Sequence, residues 1–244
     1  GRAAPAIIHE GCAVSFGDLD DRSRRVAQGL SELGIGPGDR VAIWLPNVVA
    51  WLELYLACAR LGAVAVALNT RYRSSEVEGI LAASGAKVLA LWPGFRKIDF
   101  LGILADAGPA ALSALAAVVL YDEGEDTPLQ LFGGLKAVRY SNLAARPKYG
   151  ADHAQADNGC IIFTTSGTTR APKLVVHDQR AITRHAAAAQ HFGYTASDAV
   201  MLQGLPLCGT FGLSQAMAGL AAGRPMVLMT VFDGKEAAAL IRTH

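Results

Sequence analysis

The sequence predicts an α/β fold with parallel-rich sheets flanked by helices. Three observations carry that expectation. Short apolar runs bounded by turn residues alternate with longer amphipathic stretches, the order expected of βαβ units. Some runs, residues 63–68 among them, are apolar at every position, as strands covered on both faces are. Of the 244 residues, 52% are hydrophobic, enough for a sizeable core and far from the composition of a disordered chain.

The elements follow in order. Residues 6–8 and 13–14 read as a hairpin leading into a helix, which Ser15 caps three residues before Asp18. Leu19, Val26, Leu30 and Leu33 recur at helical spacing, with Arg22, Arg24, Arg25 and Glu32 on the solvated face. Gly34-Ile35-Gly36-Pro37-Gly38 stops that helix. It follows a helix and opens a strand, the reverse of a dinucleotide-binding loop. After a strand at 40–45, Asn47 is expected to cap a helix with a wide apolar face (Val48, Trp51, Leu52, Tyr55, Leu56), closed by Gly62.

Strand 63–68 follows, then a helix capped by Ser74 or Ser75 and ending near Ser84. A strand at 87–91, one helix near 95–106 and a strand at 117–121 complete a first α/β lobe, residues 1–121. Residues 122–158 are acidic and contain Gly and Pro, so a surface connection is expected there, with a helical turn within 129–135. Residues 159–244 form the last segment: strand 159–164, a polar loop, strand 174–177 and an alanine-rich helix near 180–192. The uncharged stretch 199–223 is long enough to cross a bilayer. Gln203, Gly204, Pro206, Gly209 and Gly212 break it into a strand, a turn and a buried helix, so no membrane span is expected.

Charge and cysteine usage narrow the function classes. Lys+Arg of 22 against Asp+Glu of 21 leaves a formal charge of +1, against a nucleic-acid binder with a basic face. Cys12, Cys58, Cys160 and Cys208 are too widely spaced for a C-x-x-C pair. They read as reduced thiols of a cytoplasmic protein, not as a disulfide or zinc framework. His9, His153, His185, His191 and His244 show no ligand spacing, so no metal site is expected from these residues. The first ten residues lack the pattern of a signal peptide, and the start reads as a fragment edge.

One segment carries chemistry. An apolar strand empties into Thr164-Thr165-Ser166-Gly167-Thr168-Thr169-Arg170-Ala171-Pro172-Lys173. Clustered hydroxyls, a flexible backbone with free N–H groups and a terminal ammonium can wrap a polyanion such as pyrophosphate. It is not a Walker loop, because Lys173 lies between Pro172 and Leu174 instead of between Gly and Ser/Thr. Nor is it a serine-hydrolase elbow, since Thr164 stands where the first glycine of G-x-S-x-G belongs.

With these residues the chain resembles the adenylate-forming superfamily of acyl-CoA synthetases, aryl-CoA ligases, firefly luciferase and peptide-synthetase adenylation domains. Their signature loop runs Ser/Thr-Ser-Gly-Thr-Thr-Gly-x-Pro-Lys-Gly. Here Arg170 and Leu174 replace the two later glycines. The likeness extends along the chain. Gly38-Asp39-Arg40-Val41, Leu45-Pro46-Asn47, Ala59-Arg60-Leu61-Gly62-Ala63-Val64, Asn69 and Arg71, Leu205-Pro206-Leu207, Phe211-Gly212 and Gly223-Arg224-Pro225 resemble successive family motifs.

The resemblance implies a fold that is the front portion of the family's large N-terminal domain. It implies ATP-dependent activation of a fatty or aryl carboxylic acid to an acyl-adenylate, followed by capture on coenzyme A. Delivery to a carrier protein and a non-catalytic homologue are the alternatives. By resemblance, Thr165, Ser166, Gly167, Thr168, Thr169 and Lys173 hold the β- and γ-phosphates of ATP, with Mg²⁺ as the accompanying cation. The family's glutamate for Mg²⁺, its adenine and ribose contacts and its C-terminal catalytic lysine have no counterpart up to His244. This chain alone is therefore expected to be inactive, its partner being the C-terminal remainder of the same enzyme. The family's usual histidine near the acyl group is Gly209 here, followed by Thr210 and Phe211 as candidate pocket residues, while Gln179 stands where a histidine often follows the loop. Gly209 either opens room in the acyl pocket or serves a tight turn requiring positive φ.

Overall fold

The computed structural model describes residues 1–121, 130–165, 173–193 and 200–244. Among them the chain forms eleven strands and nine α-helices. The hairpin β1 (Pro5–His9) and β2 (Cys12–Ser15) pairs antiparallel and leads into α1 (Phe16–Glu32). Ser15 caps that helix as its pattern predicts: its hydroxyl oxygen accepts from the Asp18 N–H at 3.0 Å, and Asp18 reaches back to the Ser15 N–H at 3.2 Å. Then come β3 (Arg40–Trp44), α2 (Val49–Leu61), β4 (Val64–Ala67), α3 (Ser74–Ser84) and β5 (Val88–Leu91). Gly62 closes α2 in the left-handed region, φ 66°.

The stretch read as one helix at 95–106 divides. A single 3₁₀ turn at Phe95–Lys97 is followed by α4 (Phe100–Asp106), capped by Asp99, and by α5 (Gly108–Leu112). Arg96 and Lys97 sit at φ 54° and 60°, a left-handed pair that no continuous helix accommodates. β6 (Ala117–Leu120) comes next. The expected surface connection also supplies regular structure, β7 (Lys136–Arg139) and α6 (Tyr140–Ala144). Four residues that begin with Lys136 and end with Arg139 offer little strand signal, yet β7 pairs in parallel with β6 as a sheet edge, where charged ends stay solvated. The helical turn expected within 129–135 appears as a 3₁₀ turn, Phe132–Gly134.

β8 (Gly159–Thr165) and β9 (Lys173–Asp178) follow, then α7 (Gln179–Gly193), β10 (Met201–Gln203), α8 (Thr210–Ala221), β11 (Met226–Leu228) and α9 (Gly234–Thr243). The uncharged stretch is thus a strand, a turn and a twelve-residue helix. No helix among the described residues is long and apolar enough to cross a membrane.

Two sheets result. The larger has the order β7-β6-β5-β3-β4-β8-β9, parallel throughout except for β8 with β9. The smaller, β10-β11-β1-β2, joins the first residues of the chain to the last segment. Pairing therefore crosses the expected lobe boundary at residue 121 in both sheets. The inner strands β3, β4, β5 and β6 of the larger sheet are buried on both faces with the period of two that strands impose. Val41 and Ile43 pack toward α1 and α2, whereas Ala42 and Trp44 pack toward α3 and α4.

Two expected caps have other roles. Val48, not Asn47, precedes α2, and it makes no side-chain cap. Asn47 instead turns toward the last segment: its Nδ2 donates to the Leu205 carbonyl at 2.9 Å and its Oδ1 accepts from the Leu207 N–H at 2.8 Å. Ser74 and Ser75 lie inside α3, and Arg73 precedes it, its N–H donating to the Glu76 carboxylate at 3.0 Å.

Candidate functional site

Strands β4, β3, β5, β6 and β7 lie in the order 2-1-3-4-5 of a doubly wound sheet, whose ligands bind beyond the carboxyl ends of the strands. Leu45–Asn47 leave β3 there, the Asn69–Arg73 turn leaves β4, and Thr165 ends β8. Of the candidate phosphate-loop residues, Thr165 and Lys173 are described. Ser166, Gly167, Thr168 and Thr169, together with Arg170, lie outside the described residues.

The two flanks are brought together. Thr165 and Lys173 are direct partners in the antiparallel β8–β9 pair, so their side chains share a sheet face, and both are exposed. On that face Phe163 lies two residues back, with the His177 ring edge-on at 5.7 Å. The opposite face carries Thr164 and its partner Leu174, the residue in place of the loop's last glycine. Thr164 Oγ1 shares a hydrogen bond of 2.5 Å with the Tyr72 hydroxyl. Sequence reasoning missed Tyr72. The signal available was its place in a polar turn following an entirely apolar strand. Gln179 donates to the Ala59 carbonyl at 2.7 Å, which ties the start of α7 to the last turn of α2.

Two cavities adjoin these strands. One of about 240 Å³ lies on the Thr165 face between α7 and α8, with Phe163, His177, Ile182, Thr210 and Leu213 in its wall. The other, about 1000 Å³, separates the two sheets between the Asn69–Arg73 turn and residues 204–208. Arg71, Arg73 and Arg96 line it, and no carboxylate does among the described residues. Cys208 is also in its wall, but burial pushes that thiol up to about 11, so it is neutral near pH 7 and not poised as a nucleophile. No cluster of three or more His, Cys, Asp or Glu gathers as a metal site among the described residues.

The three candidate pocket residues separate. Thr210 lines the smaller cavity, while Phe211 is 84% exposed. Gly209 is the residue before α8 with φ −103°, so the turn requiring positive φ is not present. A Cβ on Gly209 would make only an ordinary 3.4 Å contact with the Pro206 carbonyl oxygen, whereas one on Gly212 would overlap the Pro206 carbonyl. Gly209→Ala is accordingly expected to leave stability within ~0.5 kcal/mol, and Gly212→Ala to cost about 1–3 kcal/mol, read by urea denaturation of both variants. Equal losses would contradict the backbone geometry.

The family described as AMP-binding enzyme matches residues 2–244. 4-Coumarate--CoA ligase 5 of Oryza sativa subsp. japonica is 32% identical over 240 residues, 96% of this chain and 41% of the relative. Long-chain-fatty-acid--CoA ligase FadD13 of Mycobacterium tuberculosis is 31% identical over 232 residues, 93% of this chain and 42% of the relative. The crystal structure of ATP-bound MatB from Rhodopseudomonas palustris superposes with a TM-score of 0.79 at 25% identity, over 99% of this chain and 45% of that one. The chain thus spans less than half the length of these relatives. Its match is continuous from the first hairpin through α9, and the chain belongs to the AMP-binding enzyme family.

Proposed function

We propose that the whole protein activates a carboxylic acid with ATP and transfers the acyl group to coenzyme A. The observation that carries this reading is the opposition of Thr165 and Lys173 across β8 and β9 beside the 240 Å³ cavity. Phosphates held between those strands lie near a mostly apolar space for the acid. In this reading an acid carboxylate oxygen attacks the α-phosphorus and the bond to pyrophosphate breaks. A thiolate then displaces AMP from the acyl-adenylate.

The charge of the leaving pyrophosphate is offset by the Lys173 ammonium and the Thr165 hydroxyl, and in this reading Ser166, Gly167, Thr168 and Thr169 supply the further donors. Mg²⁺, when bound with ATP, would supply further neutralisation of the phosphates. The three guanidiniums of the larger cavity suit an anionic ligand, which is compatible with the phosphates of coenzyme A. The relatives named for CoA ligation favour coenzyme A over a carrier protein as acceptor. The reading places the protein in the cytoplasm, with which four free cysteines are compatible.

Acid-dependent ATP–pyrophosphate exchange tests the reading. Exchange is expected in the longest natural form of the protein and none above blank in the 244-residue chain. Exchange by that chain alone would refute the need for a C-terminal remainder, and its absence from the longest form would favour a non-catalytic homologue. Gly209 lines neither cavity but precedes Thr210 in the smaller one's wall, so in the same assay Gly209→Ala should shift preference modestly toward smaller acids, with ATP use unchanged. A uniform loss across acids would remove Gly209 from the pocket.

A further inference from the structure

We propose that Tyr72 is a positioning residue for the phosphate loop, holding the exit of β8 from the sheet face opposite the ligand. This rests on the reading of residues 165–173 as that loop. The Asn69–Arg73 turn is built to present the Tyr72 hydroxyl at one place. The fully buried Trp44 donates its indole N–H to the Asn69 carbonyl at 2.9 Å, and the Tyr72 N–H donates to the same oxygen at 2.9 Å. Asn69 Oδ1 accepts from the Arg71 N–H at 3.0 Å, which closes the turn on itself. Trp44 is itself wedged edge-on against Phe100, with ring centroids 4.6 Å apart. The turn is thereby anchored in the core, and its hydroxyl reaches Thr164 at 2.5 Å.

Thr164 immediately precedes Thr165, whose side chain points to the other face. A hydrogen bond at Thr164 fixes the β8 backbone without occupying the side that Thr165 and Lys173 share. Across the pair, Leu174 packs into the same α3-side core, so both flanks of the loop are held from behind. A loop that must meet phosphates with preset donors gains from such a fixed base, because donors that wander lose the advantage of preorganisation.

The test uses the longest natural form of the protein and initial rates of pyrophosphate exchange. Tyr72→Phe removes the hydroxyl and keeps the ring. It should raise the ATP KM about 3- to 10-fold, the range for a neutral hydrogen bond, and leave the acid KM unchanged. Thr164→Val should do the same, Thr164→Ser should rescue it, and Tyr72→Phe with Thr164→Val should be no worse than either alone. Multiplicative losses in the double variant, or acid and ATP KM rising together, would overturn the proposal in favour of general packing. Lys173→Ala separates the two levels. If it impairs ATP use while Tyr72→Phe does not, the Tyr72 proposal falls alone. If Lys173→Ala leaves ATP use intact, the loop reading falls and takes the Tyr72 proposal with it.

Discussion

Lys173→Ala, in the longest natural form of the protein, is expected to weaken ATP use by about 1.5–3 kcal/mol, or roughly 10- to 150-fold, for every acid alike. Lys173 opens β9 opposite Thr165, exposed and with its side chain on the face of the smaller cavity. An ammonium there contributes a charge-assisted bond to an anion between the strands, and none of its contribution depends on the structure of the acid. Thr168→Ala should act in the same direction but less, since a neutral donor is lost. The measurement is kcat/KM for ATP in pyrophosphate exchange with two or more acids of different size. A loss confined to one acid would move Lys173 to the acid pocket, and unchanged ATP kinetics would remove it from the site.

Asn47→Ala is expected to destabilise the chain by about 1–3 kcal/mol. Asn47 is 6% exposed and its amide bridges two backbone groups of residues 205–207, so truncation strands the buried Leu207 N–H, while the Leu205 carbonyl keeps the bond it accepts from Gln203 Nε2 at 2.8 Å. These bonds join the end of β3 to the segment between β10 and α8, and so join the larger sheet to the smaller. Asn47→Asp discriminates between this role and a helix cap. Aspartate caps as well as asparagine does, but a carboxylate cannot donate to the Leu205 carbonyl. Urea denaturation should therefore find Asn47→Asp destabilised as well. Stability equal to that of the parent chain would return Asn47 to the cap role.

Much of this protein was determined by its sequence alone. The short all-apolar run 63–68 fits a strand covered on both faces, and β4 lies inside the larger sheet between β3 and β8. Ser15 with Asp18, and Gly62 in the left-handed region, mark helix ends because capping is a local bargain between a side chain or backbone and the nearest turn. The family, too, was legible, since its motifs are short runs of contiguous residues.

What tertiary structure alone decided depends on partners distant in the chain. Asn47 has the chemistry of a cap, and only the arrival of residues 205–207 about 160 positions later diverts its amide. β7 is four residues with charged ends, and its place is set by the open edge of β6. Tyr72 is one tyrosine in a polar turn until β8 brings the Thr164 hydroxyl within hydrogen-bonding reach. The hairpin at the start of the chain becomes half of a second sheet only because β11 pairs with β1. Local rules act over a few residues and can be read in order. Which distant groups satisfy a hydrogen bond or cover an edge is settled by the packing of the whole fold.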